Sequence, residues 1–577
     1  MRWSPPGISD IPRGVIPNRW DLLAVPLILG ILFLIAAGAR QMTLPLAAPQ
    51  AITLSLDPAY LPGYALRTTL RMLAAMVFSL IFTFTYATAA AKSRRAELVL
   101  IPVLDVLQSV PVLGYVSFTV TFFLALFPGS VLGAEFAAIF AIFTSQAWNM
   151  AFSFYQSLRT VPADLQEVSR SFRFTAWQRF WRLEVPFAMP SLIWNMMMSM
   201  SGGWFFVVAS EAIAVGSHTV SLPGVGSYVA LAIDQRDLGA IGWAVLTMFL
   251  VILAYDQLFF RPLVAWADKF RAELSVGQIG PESWLLRIFR RTRLLNTAMA
   301  PLGRTLRRIA VWPGPRFAAK RPGPSSRGLR ALGEAIWYLI VAAITVFIVW
   351  RAAVTVSGEL GWRDLWTAFG LGAITLLRVA VLIALASAIW LPAGVRIGMN
   401  PKLAQTAQPI AQFLAAFPAN LLFPIMVFLI VRFGLNQDVW LSLLMVLGAQ
   451  WYILFNVVAG ASAFPNDLKD AAANLHLGGW QWWRQVGLPG VFPFYITGAI
   501  TASGGCWNAA IVAEAVSWGD THLEAHGLGA YIAAATVRGD FPRIVLGIAV
   551  MSVYVILTNR LLWRPLYQLA VRRFTFN

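Results

Sequence analysis

Pro162-Ala-Asp-Leu-Gln-Glu-Val-Ser169 and Pro465-Asn-Asp-Leu-Lys-Asp-Ala-Ala472 are two copies of one pattern. Adding 303 to the residue number carries Pro162 onto Pro465, Leu165 onto Leu468, Glu167 onto Asp470 and Trp177 onto Trp480. The same offset carries Pro186 onto Pro489, Glu211 onto Glu514, Gly224 and Gly226 onto Gly527 and Gly529, and Arg261-Pro262 onto Arg564-Pro565. A register held over a hundred residues marks an internal repeat. Each copy is a short amphipathic segment between two long uncharged runs, which is the length signature of membrane spans. The apolar side of each segment calls for a covering partner.

The composition agrees. Of 577 residues, 58% are hydrophobic and only 12% charged, and the mean hydropathy is +0.68; a soluble globular chain carries about 25% charged residues. The chain reads as a polytopic membrane protein, all-α because a helix satisfies its own backbone groups in lipid. Its net charge of +18 gathers in short stretches between the uncharged runs, as the positive-inside rule requires of cytoplasmic loops, so no nucleic-acid partner is expected. The single cysteine, Cys506, lies in an apolar run, which excludes an intramolecular disulfide and a cysteine metal cluster; no metal site is expected. Arg2, Arg13 and Arg19 precede the uncharged run Leu22 to Ala39, which is longer than the roughly 7–15 residues of a signal-peptide core and reads as an uncleaved first helix.

Uncharged length and flanking Arg and Lys place six spans in the first half, at 22–39, 68–91, 98–126, 131–158, 188–215 and 239–260, and six in the second, at 333–355, 365–392, 403–432, 438–461, 490–517 and 543–562. Lys92, Arg94 and Arg95 put the first tight turn in the cytoplasm. By alternation, the repeated segment and both termini also fall in the cytoplasm. Six spans return the chain to the side it left, so the halves are parallel repeats related by a pseudo-two-fold axis along the membrane normal. Residues 1–260 and 331–577 are the two repeats. Between them, 261–330 carries 15 Lys or Arg against three acids and reads as a cytoplasmic linker held near anionic headgroups, with Trp284 to Arg291 forming a surface-lying amphipathic helix.

The repeated segment resembles the signature loop of ABC-importer permeases, whose pattern is Glu-Ala-Ala, three residues, Gly, nine residues, then Ile-x-Leu-Pro. The matching residues are Glu167-Val168-Ser169 with Leu183-Glu184-Val185-Pro186, and Asp470-Ala471-Ala472 with Val486-Gly487-Leu488-Pro489. Arg173 and His476 stand where the pattern has Gly; a left-handed turn is costly for a residue with a side chain, so the turn is expected to shift, onto Gly478-Gly479 in the second copy. Glu211 and Glu514, each followed by a Gly-x-Gly-x-Tyr, look like the permease subgroup carrying nitrate, sulfonates, taurine and bicarbonate.

The resemblance implies the permease subunit of a bacterial inner-membrane ABC importer, moving a small polar, in its narrower form anionic, solute inward. It implies two cytoplasmic ABC ATPase subunits and an external solute-binding protein as partners. Each ATPase would take one loop as a coupling helix, with Asp164, Leu165, Glu167 and Val168 on the first and Asp467, Leu468, Asp470 and Ala471 on the second. Asp164 and Asp467 equally suit helix starts, where acids are favoured. The chain has no Gly-Lys dipeptide and so no phosphate-cradling G-x-x-x-x-G-K-[ST] loop. It is therefore expected to be no enzyme and to bind no cofactor, ATP and Mg residing on the partner subunits.

Ionisable residues within spans are functional candidates. Asp105 and Asp256 lie near cytoplasmic ends and have no acidic counterpart in the other half. Glu211 and Glu514 are paired by the repeat; a carboxylate at the outer end of a span, bonded to loop backbone, is favoured over a proton relay. Ser201, Trp204, Ser503, Trp507 and Asn508 are candidates to line a polar translocation path, weighed evenly against helix packing. An ion-coupled secondary transporter is the rival function, but inverted repeats and midplane charges would be its signature. The topology has a direct check. With Cys506→Ser as background, Glu282→Cys should resist an impermeant thiol reagent added outside intact cells and react in inside-out vesicles; labelling from outside would overturn the assignment.

Overall fold

The computed structural model describes residues 20–42, 54–109, 112–128, 130–215, 218–270, 283–312, 327–462, 464 and 466–574. Arg2, Arg13, Arg19 and Pro465 lie outside these. Among the described residues, seven helices are long and apolar enough to cross a membrane: Pro58–Lys92, Val131–Arg159, Ala176–Glu211, Leu238–Ala267, Trp362–Gly398, Gly479–Ala513 and Phe541–Ala570. Two bent pairs, Lys402–Ala416 with Ala419–Phe433 and Gln437–Leu447 with Gln450–Ser462, are long and apolar enough to cross only when each pair is taken together, for up to nine spans among the described residues. The first expected span of each half falls within helices Asp21–Met42 and Arg327–Glu359. The fold is an all-α polytopic membrane protein.

Two expected spans are bent, and a third is described as two helices either side of residues 110–111, which lie outside the described residues. The run 98–126 forms Arg94–Ser109 and Val112–Leu126. The run 403–432 bends by 76° between its two helices, and 438–461 by 41°. Pro418 explains the sharper bend: it lacks an N–H and drives the preceding residue out of the helical region, and Phe417 is extended, at φ −69°, ψ 127°. The fifth span of each half begins earlier than expected, at Ala176 and Gly479, and ends earlier, at Glu211 and Ala513. Beyond its end the chain turns back in a short antiparallel hairpin, Ala212–Val215 with His218–Ser221 and Ala515–Trp518 with Thr521–Glu524, and then enters a short helix, Val225–Asp234 or Leu528–Arg538.

The early start has a physical cause in the signature motif itself. Pro186 and Pro489 cannot donate to the carbonyl four residues back, and in a regular helix their rings would strike it. In each copy a wide π-helical turn, Phe180–Glu184 or Trp483–Gly487, precedes the proline and lets the helix run through. Arg261-Pro262 and Arg564-Pro565 follow matching π-turns, Asp256–Phe260 and Asn559–Trp563. The sixth span therefore extends to Ala267, seven residues into the stretch assigned to the linker.

A charge cluster, present once in each half, ties spans together at the ends remote from the signature segments. Arg71 is fully buried and forks onto Glu135, with Nε 2.6 Å from Oε2 and Nη2 2.8 Å from Oε1. Its Nη1 lies 2.6 Å from Oε1 of Glu211, and Nη2 donates to Pro223 O at 3.1 Å. Thr68 Oγ1 donates to Glu211 at 2.6 Å, and the Gly226 N–H, at the start of Val225–Asp234, donates to the other carboxylate oxygen at 2.7 Å. Arg67 also lies close enough to Glu135 to attract it, and the helix N-terminus and the Thr68 hydroxyl further stabilise the Glu211 carboxylate. In the second half, Arg378 bridges Glu514 (3.1 Å) and Asp438 (2.8 Å), Thr375 donates to Glu514 at 2.9 Å, and the Gly529 N–H does so at 2.7 Å.

The Gly-x-Gly motif is a consequence of this packing. A Cβ on Gly224 would lie 2.3 Å from the Glu211 carboxylate, and one on Gly226 would lie 2.2 Å from Val208 O. Gly527 and Gly529 meet Glu514 and Ala510 O in the same way, at 2.2 and 2.3 Å.

The clusters differ in solvent access. Arg71, Glu135 and Glu211 are at most 2% exposed, whereas Asp438 is 36% exposed and bonded to the His526 backbone N–H. Removing one partner of a buried pair costs about 3–5 kcal/mol, because the other charge is left bare. Arg71→Met should therefore lower the stability of the detergent-solubilised protein by about that much, and Arg378→Met by clearly less. Thermal unfolding of both variants is the measurement; equal losses would show that burial does not set the cost.

Candidate functional site

The two signature segments form helices Ala163–Ser171 and Asn466–Asn474. In the first, Asp164, Leu165, Glu167 and Val168 are all exposed, Leu165 by 38% and Val168 by 50%, while Ser169 is buried against its own chain. In the second, Asp470 and Ala471 are exposed, Leu468 is half-buried, and Asp467 lies in the first turn of the helix. The structure thus brings four candidate residues together on each of two short helices.

The turn after each helix is not shifted. Arg173 and His476 themselves take left-handed backbone angles, φ 52° and 48°. Their N–H groups close onto Arg170 O and Ala473 O, and the next residue's N–H reaches back to Ser169 O or Ala472 O at 3.0 Å. These paired bonds satisfy carbonyls that a helix end leaves free and offset the cost of placing a side chain there. Gly479 is also left-handed, at φ 52°, but it opens the following helix.

The first loop has additional anchors. Glu184 accepts from Lys92 and lies 3.5 Å from Arg179 Nε, tying the loop to the 92–97 turn. The second half has Gly487 at that place, where a Cβ would strike the Trp482 ring at 2.4 Å.

Between the halves lies a cavity of about 710 Å³. Ser201, Ser503, Trp507 and Asn508 line it, together with Trp148, Trp194, Phe205, Tyr452, Asn149 and Thr501 among others. Trp204 is not among the lining residues; it is 1% exposed and packs edge-on against Tyr255, ring centres 5.6 Å apart. Asn508 also joins the halves, since its Oδ1 accepts from the Val112 N–H at 2.8 Å, at the start of a first-half helix. At the repeat-equivalent position in the first half, Phe205 O accepts from Asn420 Nδ2 at 3.2 Å.

No Asp, Glu, Lys, Arg or His is among the described residues lining the cavity. Its wall is aromatic and neutral polar, able to donate and accept hydrogen bonds without presenting a fixed charge. Glu211 and Glu514 do not line it; they lie in the charge clusters, each bonded through Gly226 or Gly529 to the first turn of a short helix and not to loop backbone as expected. No group of three or more His, Cys, Asp or Glu among the described residues could hold a metal ion.

Sequence reasoning missed Glu135 and Asp438, the acids that complete those clusters, although the 303-residue offset relates them. Their arginines are harder to pair. Arg71 and Glu135 are 64 residues apart but Arg378 and Asp438 only 60, so the constant register fails on the second span.

The model of the family described as binding-protein-dependent transport system inner membrane component matches the chain twice, at residues 76–260 and 390–563. Among curated relatives, the chain is similar to the bicarbonate transport system permease protein CmpB of Synechococcus elongatus, 28% identical over 32% of this chain and 64% of that one. It is similar to the nitrate import permease protein NrtB of Leptolyngbya laminosa, 28% identical over 33% of this chain and 64% of the relative. It also resembles the glycine betaine/proline betaine transport system permease protein ProW of Escherichia coli, 29% identical over 30% and 45%. The chain spans less than two thirds of the length of each of these relatives. The double match, covering more than half of the residues, places this chain in the binding-protein-dependent transport family as a membrane permease built from two fused copies of the family's unit.

Proposed function

We propose that this chain is the whole permease core of an ATP-binding-cassette importer of a bacterial inner membrane. Its fused repeats, 1–260 and 331–577, stand about a pseudo-two-fold axis along the membrane normal, with the 261–330 linker and both termini in the cytoplasm. Two cytoplasmic ATPase subunits hold ATP and Mg and receive the helices Ala163–Ser171 and Asn466–Asn474; an external binding protein delivers the solute. The observation that carries this reading is the equivalence of those two helices, 303 residues apart, with apolar residues exposed on a polar segment. An isolated helix of nine residues that leaves Leu165 and Val168 in water gains nothing from its apolar face. Docking into a groove on a partner would bury that face.

The cavity between the repeats is the path in this reading, with Ser201, Ser503, Trp507 and Asn508 on its wall. Lacking a described ionisable residue, it supports a solute moved by gating of the two halves and not by a titrating relay. The rival reading, an ion-coupled secondary transporter, would call for carboxylates or histidines facing the path, and the described lining supplies none. Selection of the solute is then left to the external binding protein. We take the solute as small and polar, and in the narrower form an oxyanion such as nitrate, bicarbonate or a sulfonate. A neutral wall can carry an anion with hydrogen-bond donors alone, as Asn, Ser, Thr and Trp side chains provide.

Charge reversal tests the coupling role. Glu167→Lys with Asp470→Lys should leave the protein folded in the membrane and lower uptake by roughly tenfold or more, since ~1.4 kcal/mol of lost docking energy is already a factor of ten. Either single change should do less. Normal uptake by the double variant would refute it. Growth of a deletion strain tests the solute: it should fail on limiting nitrate, bicarbonate or a sulfonate, and a strain that instead fails on a betaine would show the oxyanion assignment wrong.

A further inference from the structure

The linker contains a feature that the sequence did not announce. Besides the expected helix Trp284–Arg291, a second helix runs from Arg293 to Val311. Its start is tied to the first span, where the Leu294 N–H donates to Asp21 Oδ1 at 3.0 Å. Its end is capped by the first signature loop. Trp177 Nε1 donates to Ile309 O at 2.7 Å and Gln178 Nε2 donates to Val311 O at 2.6 Å. The last carbonyls of a helix have no intrahelical partner, and this Trp-Gln pair supplies two donors at the spacing they require. Gln178 is held for the task, because its Oε1 accepts from the Thr175 N–H in a capping box.

The repeat places the same two side chains on the second loop, as Trp480 and Gln481. There the helix end is missing among the described residues. Trp177 is 37% exposed, whereas Trp480 is 78% exposed and Gln481 is exposed as well. An indole held largely in water, with its single donor and a neighbouring amide beside it, is the first loop's helix receptor without its helix. It lies six residues beyond the end of the second coupling helix, Asn466–Asn474, so it continues the surface assigned to the ATPase.

We infer that Trp480 and Gln481 form a docking site for the C-terminal turn of a helix carried by the ATPase subunit at the second loop. The inference rests on the coupling-loop reading above. The occupant would present two backbone carbonyls of a last helical turn, two residues apart and able to accept from side-chain donors as Ile309 and Val311 do, with apolar side chains in the same turn to cover the indole face. The two ATPase contacts are then chemically different. At the first loop the linker fills this site, and at the second the ATPase fills it.

Photo-crosslinking in the full chain, in cells that carry out uptake, separates the inferences. Benzoylphenylalanine is introduced singly at Trp177, Trp480 and Asp470, and adducts are identified by mass spectrometry. Position 480 should yield an adduct with a protein that carries a G-x-x-x-x-G-K-[ST] loop, mapped to the last turn of a helix. Position 177 should yield an adduct within this chain, near Ile309 to Val311. ATPase adducts from 470 but none from 480, or adducts from 480 to lipid or to this chain alone, would overturn the docking site and leave the coupling reading standing. ATPase adducts from neither 470 nor 480 would overturn both. As a second measure, Trp480→Phe with Gln481→Ala should lower the yield of co-purifying ATPase by roughly tenfold, the effect of losing ~1.4 kcal/mol of binding; an unchanged yield would count against the site.

Discussion

A carboxylate with no access to water, at the end of a span remote from the signature segment, sets the terms for the rest of each half. Glu211 is fully buried, and a lone ionised carboxylate there would cost several kcal/mol. The protein meets that cost by bringing three other elements to it: Arg71 and Thr68 from the second span, Glu135 through the shared guanidinium, and the N-terminus of Val225–Asp234. Each contribution fixes a helix against its neighbours, in a medium where apolar surface alone does not distinguish one helix arrangement from another. The second half uses Arg378, Thr375, Asp438 and the N-terminus of Leu528–Arg538 for the same purpose.

With these ends pinned, the polar work of the molecule separates along the spans. Six buried or half-buried charged residues gather in the two clusters, and the described wall of the intervening cavity has no ionisable residue. The π-turns before Pro186 and Pro489 make each signature loop continuous with a cavity-lining span, since one helix runs from Ala176 to Glu211 and another from Gly479 to Ala513. The helix that carries Ser201 or Ser503 thus begins directly after the left-handed turn that closes Ala163–Ser171 or Asn466–Asn474.

The halves are equivalent in plan and unequal in detail. The first signature loop is braced by Glu184 with Lys92 and by the linker helix through Trp177 and Gln178; the second has Gly487 in place of that glutamate and an exposed Trp480. Fusing two subunits into one chain permits this divergence, because a mutation in one copy no longer appears in the other.

The sequence by itself determined the membrane class, the family, the repeat and the two signature loops, because each rests on local pattern: uncharged length, basic flanks and a motif that recurs at constant spacing. It also placed Glu211 and Glu514 at the ends of their spans, where the helices do stop. Only the tertiary structure decided what those glutamates meet. Arg71 lies 140 residues from Glu211 and Arg378 lies 136 from Glu514, and no local pattern reports a contact made by helices folding back through the bilayer. The bent spans and the unshifted turns at Arg173 and His476 were hidden for a related reason. Hydropathy measures how apolar a run is and not whether its backbone is straight, and the cost of a left-handed side-chain residue is offset by hydrogen bonds that exist only once the turn has closed.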